Sequence, residues 1–164
     1  MFRLVEKHKP KNIIELGTSL GITTLYLSYA SSDSKIISVE GSENVAKFAI
    51  MQFAKFKRKN IETKVGKFQD LIPSILQEHE SFDFVFFDGH HDEHATVQYF
   101  EQFVSKASED ALFIFDDIHW SKGMERAWET IKLNDKVSLS LDLFEMGLIY
   151  FMPRNQKEHF IIRF

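Results

Sequence analysis

Cysteine is absent from the chain. Disulfides, thiolate metal ligands and cysteine nucleophiles are therefore excluded, while a reducing compartment is only weakly favoured. A basic surplus is also lacking, because 20 Lys and Arg against 24 Asp and Glu leave a formal net charge of −4. Neutralising a phosphate backbone takes clustered cations, so this balance argues against a nucleic-acid partner. No apolar run approaches the length of a membrane span, and the N-terminus lacks the apolar segment of a signal peptide. A soluble cytoplasmic protein with no membrane partner is the expectation. Repeats, low-complexity tracts and linkers are missing too.

What is present suits one globular domain over residues 1–164. Hydrophobic residues make up 44% and charged residues 27%, and with 17 phenylalanines the core is expected to be built from aromatic rings. Residues 1–9 read as a short helix stopped by Pro10. Five apolar runs read as strands: 12–15, 35–40, 61–65, 82–88 and 111–115. Helical patterns fall between them at 23–29, 43–56, 71–79 and 95–107, with Ser42 placed as an N-cap and Pro73 in the first turn of its helix. A further helix follows at 124–133. Residues 137–144 and 148–152 read as an antiparallel hairpin, and 154–164 as a C-terminal tail in which 160–164 could be one more short strand or a docked end. Strands alternating with helices imply an α/β, doubly wound, Rossmann-like and mostly parallel sheet, counted as seven strands with the terminal hairpin antiparallel.

The sharpest feature is the corner after the first strand, Glu15-Leu16-Gly17-Thr18-Ser19-Leu20-Gly21-Ile22-Thr23. A strand that breaks into a glycine turn and reopens as a helix lets backbone approach a ligand and offers helix N–H groups to an anion. A dinucleotide fingerprint is missing, since Ser19 and Ile22 stand where its second and third glycines belong. The Gly-Lys-Ser/Thr of a phosphate-binding loop is missing as well. An acid in the corner repels pyrophosphate and suits a ligand with a cationic amino-acid end. Glu40, closing the second strand, suits a ribose with two free hydroxyls. The polar strand ends Glu15, Glu40, Gln69/Asp70, Asp88 and Asp116/Asp117 are expected along one rim, where ligands of such sheets bind.

This combination resembles the class I S-adenosylmethionine-dependent methyltransferases. The resemblance implies that the turn from Gly17 through Thr18 and Ser19 to Gly21 lies under the methionine part of S-adenosylmethionine. It implies that Thr23 meets the carboxylate, that Glu40 and Gly41 lie at the ribose, and that Phe68, Gln69 and Asp88 complete the cofactor site with Glu15. The acids of the later strands look like those of the cation-dependent O-methyltransferases of the catechol, caffeoyl-CoA and sugar-modifying types. By that likeness Asp88, Asp116 and Asp117 bind Mg²⁺ or another divalent cation, Asp88 is also catalytic, and His91 is the general base that takes the acceptor's proton. The chain departs from the catechol type in having Asp116-Asp117 where that type has Asp-Asn. Three carboxylates without a cation would repel one another and raise their own pKa values.

Plainer structural roles stay open beside these. Gly17 and Gly21 also suit a tight turn, Glu40 a strand-end cap, and Asp88 and Asp116-Asp117 helix caps. His90, His91 and His94 lack the His-Glu-x-x-His spacing of a zinc helix and fit a polar loop better. His119 and Trp120 lie where a substrate would enter. The run that marks adenine N-methylation, Asn/Asp-Pro-Pro-Tyr/Phe, does not occur. The expected function is methyl transfer to a hydroxyl of a small molecule, with a homodimer possible. The alternatives are a catalytically silent cofactor-fold module or an NAD-type oxidoreductase, the latter disfavoured by the glycine spacing.

Overall fold

Apolar runs covered on both faces become parallel strands, and helices supply the crossovers that parallel pairing needs. The computed structural model describes residues 1–153 and 156–163. In it the chain divides into two compact units, Met1–His79 and Glu80–Phe164.

The first unit runs α1 (Phe2–His8), β1 (Asn12–Leu16), α2 (Ile22–Ala30), β2 (Lys35–Glu40), α3 (Glu43–Lys55), β3 (Ile61–Val65) and α4 (Phe68–Glu78). Its strands lie in the order β3-β2-β1. All are parallel, with Ile14 opposite Ile37 and Ser38 opposite Thr63. Ile13, Ile14, Leu16, Ile36 and Val39 are buried along β1 and β2, and Leu27, Ala46, Ala49 and Phe53 cover them from the helices. α1 ends on Lys9 in the left-handed region (φ 52), just before Pro10 would break it.

The second unit runs β4 (Phe82–Phe87), α5 (Glu93–Val104), β5 (Ala107–Asp116), α6 (Lys122–Leu133), β6 (Leu139–Asp142), β7 (Met146–Tyr150) and β8 (Glu158–Ile161). Its order is β4-β5-β7-β6-β8. β4 and β5 are parallel, β7 is antiparallel to both β5 and β6, and β8 is parallel to β6. Phenylalanine builds this core as the composition implied. Phe87 stacks on Phe115 at 4.3 Å, and Phe103 meets Phe82 edge-on at 5.4 Å. Gly147 is required by packing, because a Cβ there would stand 2.6 Å from the Trp128 ring.

The result is an α/β Rossmann-like architecture with six helices and eight strands among the described residues, mostly parallel with antiparallel pairing near the C-terminus. The seven strands expected from the sequence thus gain β8, which overlaps the 160–164 segment left open as a short strand or a docked tail and starts two residues before it. The tail read over 154–164 includes Arg154, Asn155 and Phe164, which lie outside the described residues.

Three other expectations need correction. α4 begins at Phe68, not Leu71, so Gln69 and Asp70 lie in its first turn instead of at a strand end. Pro73 is then internal to the helix; it and Gln69 are exposed, so water can satisfy the carbonyl that the proline leaves unpaired. β5 begins at Ala107, inside the span read as helix: Ala107 pairs with Phe82 and Leu112 with Phe84, so the polar residues 108–110 are carried as extra length on β5. Ser42 does occupy the N-cap of α3, but its side chain makes no capping bond.

Candidate functional site

In the first unit the glycine corner is held from below by a buried acid. Glu15 is 0% exposed, and its Oε2 accepts hydrogen bonds from the hydroxyls of Thr24 and Ser38, each at 2.5 Å. The single hydroxyl proton of Ser38 is thereby committed to Glu15, so Thr18, 2.5 Å from Ser38, must donate to it. The chain Thr18 to Ser38 to Glu15, with Thr24 from the other side, ties β1, β2, the corner and α2 together. Composition alone could not show that Ser38 and Thr24 belong to this network. Their signal is a hydroxyl at a position where an apolar strand or helix face would ordinarily bury a methyl.

Above that network the corner is shaped by backbone. Gly17 (φ 115), Ser19 (φ 48) and Gly21 (φ 79) all take left-handed conformations. At Gly21 a Cβ would lie 2.6 Å from the Phe53 ring and 3.1 Å from Ala49, so glycine is demanded twice, by φ and by the close approach of α3. Gly21 is also the N-cap of α2, and no side chain caps that helix. Its first-turn N–H groups, including that of half-buried Thr23, are therefore available to an anionic group.

Glu40 closes the corner. Its Oε2 accepts the N–H of Ser19 and its Oε1 the N–H of Ser42, both at 2.9 Å. The N–H of the N-cap residue of α3 is thus satisfied by Glu40, while no side chain caps the first-turn N–H groups of that helix. Each carboxylate oxygen keeps a second lone pair, enough to accept a diol. Beside it, Gly41 is exposed and borders open space. Phe68 is half-buried at the start of α4 and Gln69 is exposed.

The second unit gathers its acids differently. Asp88 follows β4, and Asp116 ends β5. Their carboxyls lie close enough to interact, so that a proton on Asp88 can bridge to Asp116. Burial first, then the charges of Asp116 and Asp117, push Asp88 up to about 7. Asp116 is raised too, by burial and by Asp117. Asp117 sits in the left-handed region (φ 56), with His91 Nε2 3.7 Å from its Oδ2.

The loop that carries His91 is braced on its neighbour. His90 takes φ 55, its Nδ1 lies 3.0 Å from the hydroxyl of buried Tyr99, and Asp92 caps α5 by accepting the Ala95 N–H. Among the described residues no three His, Asp or Glu side chains stand ready as a metal cage.

The loop beyond Asp117 is clamped to the β6–β7 turn. His119 Nε2 lies 2.8 Å from Oδ2 of buried Asp142, and its ring stacks on Phe144 at 5.7 Å. The Ile118 N–H reaches the Glu145 carbonyl at 3.3 Å. Trp120 is left 74% exposed. Asp142, which sequence reasoning passed over, thus fixes the loop that presents Trp120. Its only sequence signal is an acid closing a mostly apolar strand, with Glu145 in the turn that follows.

A glycine corner after the first strand, an acid closing the second and an antiparallel pair near the C-terminus define the class I methyltransferase fold. Solved structures agree on that fold. The O-methyltransferase of Bacillus cereus, solved in complex with SAH, is 24% identical at a TM-score of 0.79, over 91% of this chain and 78% of that one. TomG of Streptomyces achromogenes, an O-methyltransferase of tomaymycin synthesis solved with SAM, is 19% identical at a TM-score of 0.80, over 93% of this chain and 78% of that one. The chain belongs to a methyltransferase-domain family, whose profile matches residues 14–118. In sequence it is similar to the O-methyltransferase hkm8 of Aspergillus hancockii, 27% identical over 79% of this chain and 52% of the relative. It is also similar to a transmembrane O-methyltransferase homolog of Rattus norvegicus, 30% identical over 49% of this chain and 32% of the relative. The chain thus spans from a third to about half the length of these relatives. No helix among the described residues is long and apolar enough to cross a membrane.

Proposed function

We propose that this chain is a cytoplasmic S-adenosylmethionine-dependent O-methyltransferase domain acting on a hydroxyl of a small molecule with the help of a divalent cation. The observation that carries the reading is Glu40, a carboxylate that pins the glycine corner through two N–H groups and still has lone pairs for a ribose diol. The same carboxylate and buried Glu15 make the corner hostile to pyrophosphate. Support comes from the solved O-methyltransferases of this fold that hold SAH or SAM.

In this reading Gly17, Thr18, Ser19 and Gly21 shape the floor under the cofactor's methionine part. Thr23 and the open N-terminus of α2 take its carboxylate, Glu40 and Gly41 its ribose, and Phe68 and Gln69 its base. Glu15 acts from below, by holding Thr24 and Ser38. When bound, the cofactor supplies an electrophilic methyl group. His91 takes the hydroxyl proton of the acceptor, and Asp117 orients the imidazole and balances the charge it gains.

The donor set of Asp88, Asp116 and Asp117 fits a hard divalent ion chemically: the ligands are all carboxylate oxygens, and two of them share a proton that an ion would displace. Such an ion would lower the pKa of the acceptor hydroxyl. A second reading, a cofactor-binding module without transferase activity, is favoured by the lack of a ready three-ligand cage among the described residues.

Thermal shift with S-adenosylhomocysteine tests the cofactor assignment. Wild type is expected to gain several degrees at millimolar ligand, and Glu40→Ala to weaken binding about 100-fold, equivalent to about 2.7 kcal/mol. No shift in wild type would overturn it. Turnover that survives both EDTA and Asp116→Ala would remove the metal alone. Cofactor binding with no transfer to any hydroxylated acceptor would leave the silent module.

A further inference from the structure

The two strands at the ends of the described orders are finished in different ways. β3 is blunted by charge: Lys64 on it lies 3.4 Å from Glu62 and 2.9 Å from Glu78 of α4. Charged side chains are a common means of keeping an edge from pairing with another chain. On β8 the charges stand only at the ends: Glu158 opens the strand and Arg163, paired with Asp142, follows it. Between them Phe160, Ile161 and the next residue Ile162 are 50%, 67% and 40% exposed, and no charge or proline interrupts that run.

The direction of its free backbone groups can be read from its pairing with β6. The N–H groups of Glu158 and Ile162 bond to the carbonyls of Ser138 and Asp142. Residues two apart on a strand direct their backbone groups to the same side. Phe160 therefore faces β6 as well, and His159, Ile161 and Arg163 direct their N–H and C=O groups outward. The outward row is a template for one more strand.

We infer that β8 pairs antiparallel with β8 of a second copy of this chain, joining two molecules about a two-fold axis at Ile161. In an antiparallel ladder, opposite residues both belong to hydrogen-bonded pairs or both do not. The outward set is odd-numbered, so a two-fold axis falls on a residue and not between residues. With the axis at Ile161, Ile161 lies opposite its own mate, His159 opposite Arg163, and Phe160 opposite Ile162. The last is an aromatic–β-branched pair at a close, non-hydrogen-bonded position, and it occurs twice by symmetry. With the axis moved to Phe160, Lys157 would oppose Arg163, a like-charge pair that disfavours that register. The sequence of β8 is thus self-complementary about Ile161. The interface is small, so the dimer is weak and depends on concentration.

Sedimentation velocity on the whole chain, from about 5 to about 500 µM, tests the inference. Wild type is expected to move from one chain towards two across this range. Ile161→Lys is expected to stay at one chain throughout while keeping the wild-type melting temperature. The absence of native cysteine allows a second, independent measurement. Mild oxidation of Ile161→Cys should give a covalent dimer in high yield, because the paired Cα atoms would stand about 5.5 Å apart, within disulfide reach. Tyr26→Cys, exposed on α2, should give little. A wild type that stays monomeric, a dimer that survives Ile161→Lys, or crosslinking at position 161 no greater than at position 26 would each overturn the proposal.

Discussion

Both units place carboxylates at strand ends, and they neutralise them in opposite ways. In the first, Glu15 and Glu40 are surrounded by donors: hydroxyls of Thr24 and Ser38 for one, N–H groups of Ser19 and Ser42 for the other. In the second, Asp88 and Asp116 face each other with Asp117 alongside; the Asp117 N–H and His91 favour the charge on Asp116, and a proton bridging the pair relieves the rest. Donors fix an acid permanently and make it part of the scaffold. A proton is exchangeable, so the second arrangement can take a cation in its place. The first unit is therefore finished as folded, whereas the second stores a charge imbalance that a ligand can release.

The comparison breaks most visibly if the scaffold acid is removed. Glu15→Ala leaves the hydroxyls of Thr24 and Ser38 without their acceptor inside the core. At roughly 1–3 kcal/mol for each stranded group, a loss of about 4 kcal/mol is expected in urea unfolding. A loss under about 1 kcal/mol would mean that the network is not structural. Gly21→Ala comes next. It forces a Cβ into the Phe53 ring at φ 79, and strain plus overpacking give an expected loss of about 3 kcal/mol. The second unit should barely respond to either change in its divalent-ion affinity, read by calorimetry with Mg²⁺. In wild type that titration should release protons as the ion displaces the one shared by Asp88 and Asp116, so the measured heat should vary with the buffer's ionisation enthalpy. A buffer-independent heat would separate the shared proton from the ion.

How legible these two arrangements were in the sequence differs for physical reasons. β2 and β3 match their expected bounds, because each is an isolated run closed by an acid or a glycine. The start of α4 was missed because Gly66-Lys67-Phe68-Gln69-Asp70 offers no side-chain cap, and Lys67 at the N-cap carries no such signal. β8 stays open between strand and tail in the sequence, and its start is misplaced, because four residues are too few to establish a period. Glu40 was legible as an acid at a strand end. That it accepts N–H groups from two turns depends on the left-handed backbone at Ser19, and nothing in the identity of that residue announces it. The meeting of Asp88 with Asp116 follows from parallel neighbours ending at the same level, with Phe87 opposite Phe115. Asp142 is different, since it acts on a loop more than twenty residues away and no local pattern connects the two.

The smallest expected effect is the most discriminating. Asp88 holds its proton up to about pH 7 in the folded chain, against an ordinary carboxyl value of 3.8. A raised folded-state pKa means that the native state binds the proton more tightly than the unfolded state. Its contribution to stability is complete below about pH 4 and disappears as the pH rises through 7. Asp88→Asn keeps the neutral shape without the titration. It should therefore match wild type near pH 4.5 and exceed it near pH 8. The gain should be on the order of 1 kcal/mol, well below what the full shift would imply, because both carboxyls are only half-buried and water screens them. Urea midpoints at the two pH values read this directly. Equal differences at both would show that Asp88 ionises like a surface carboxyl, and the contrast between the donor-saturated acids and the crowded ones would collapse. If Mg²⁺ raises the midpoint of wild type at pH 8 but not that of Asp88→Asn, the cation is taking the place of the shared proton.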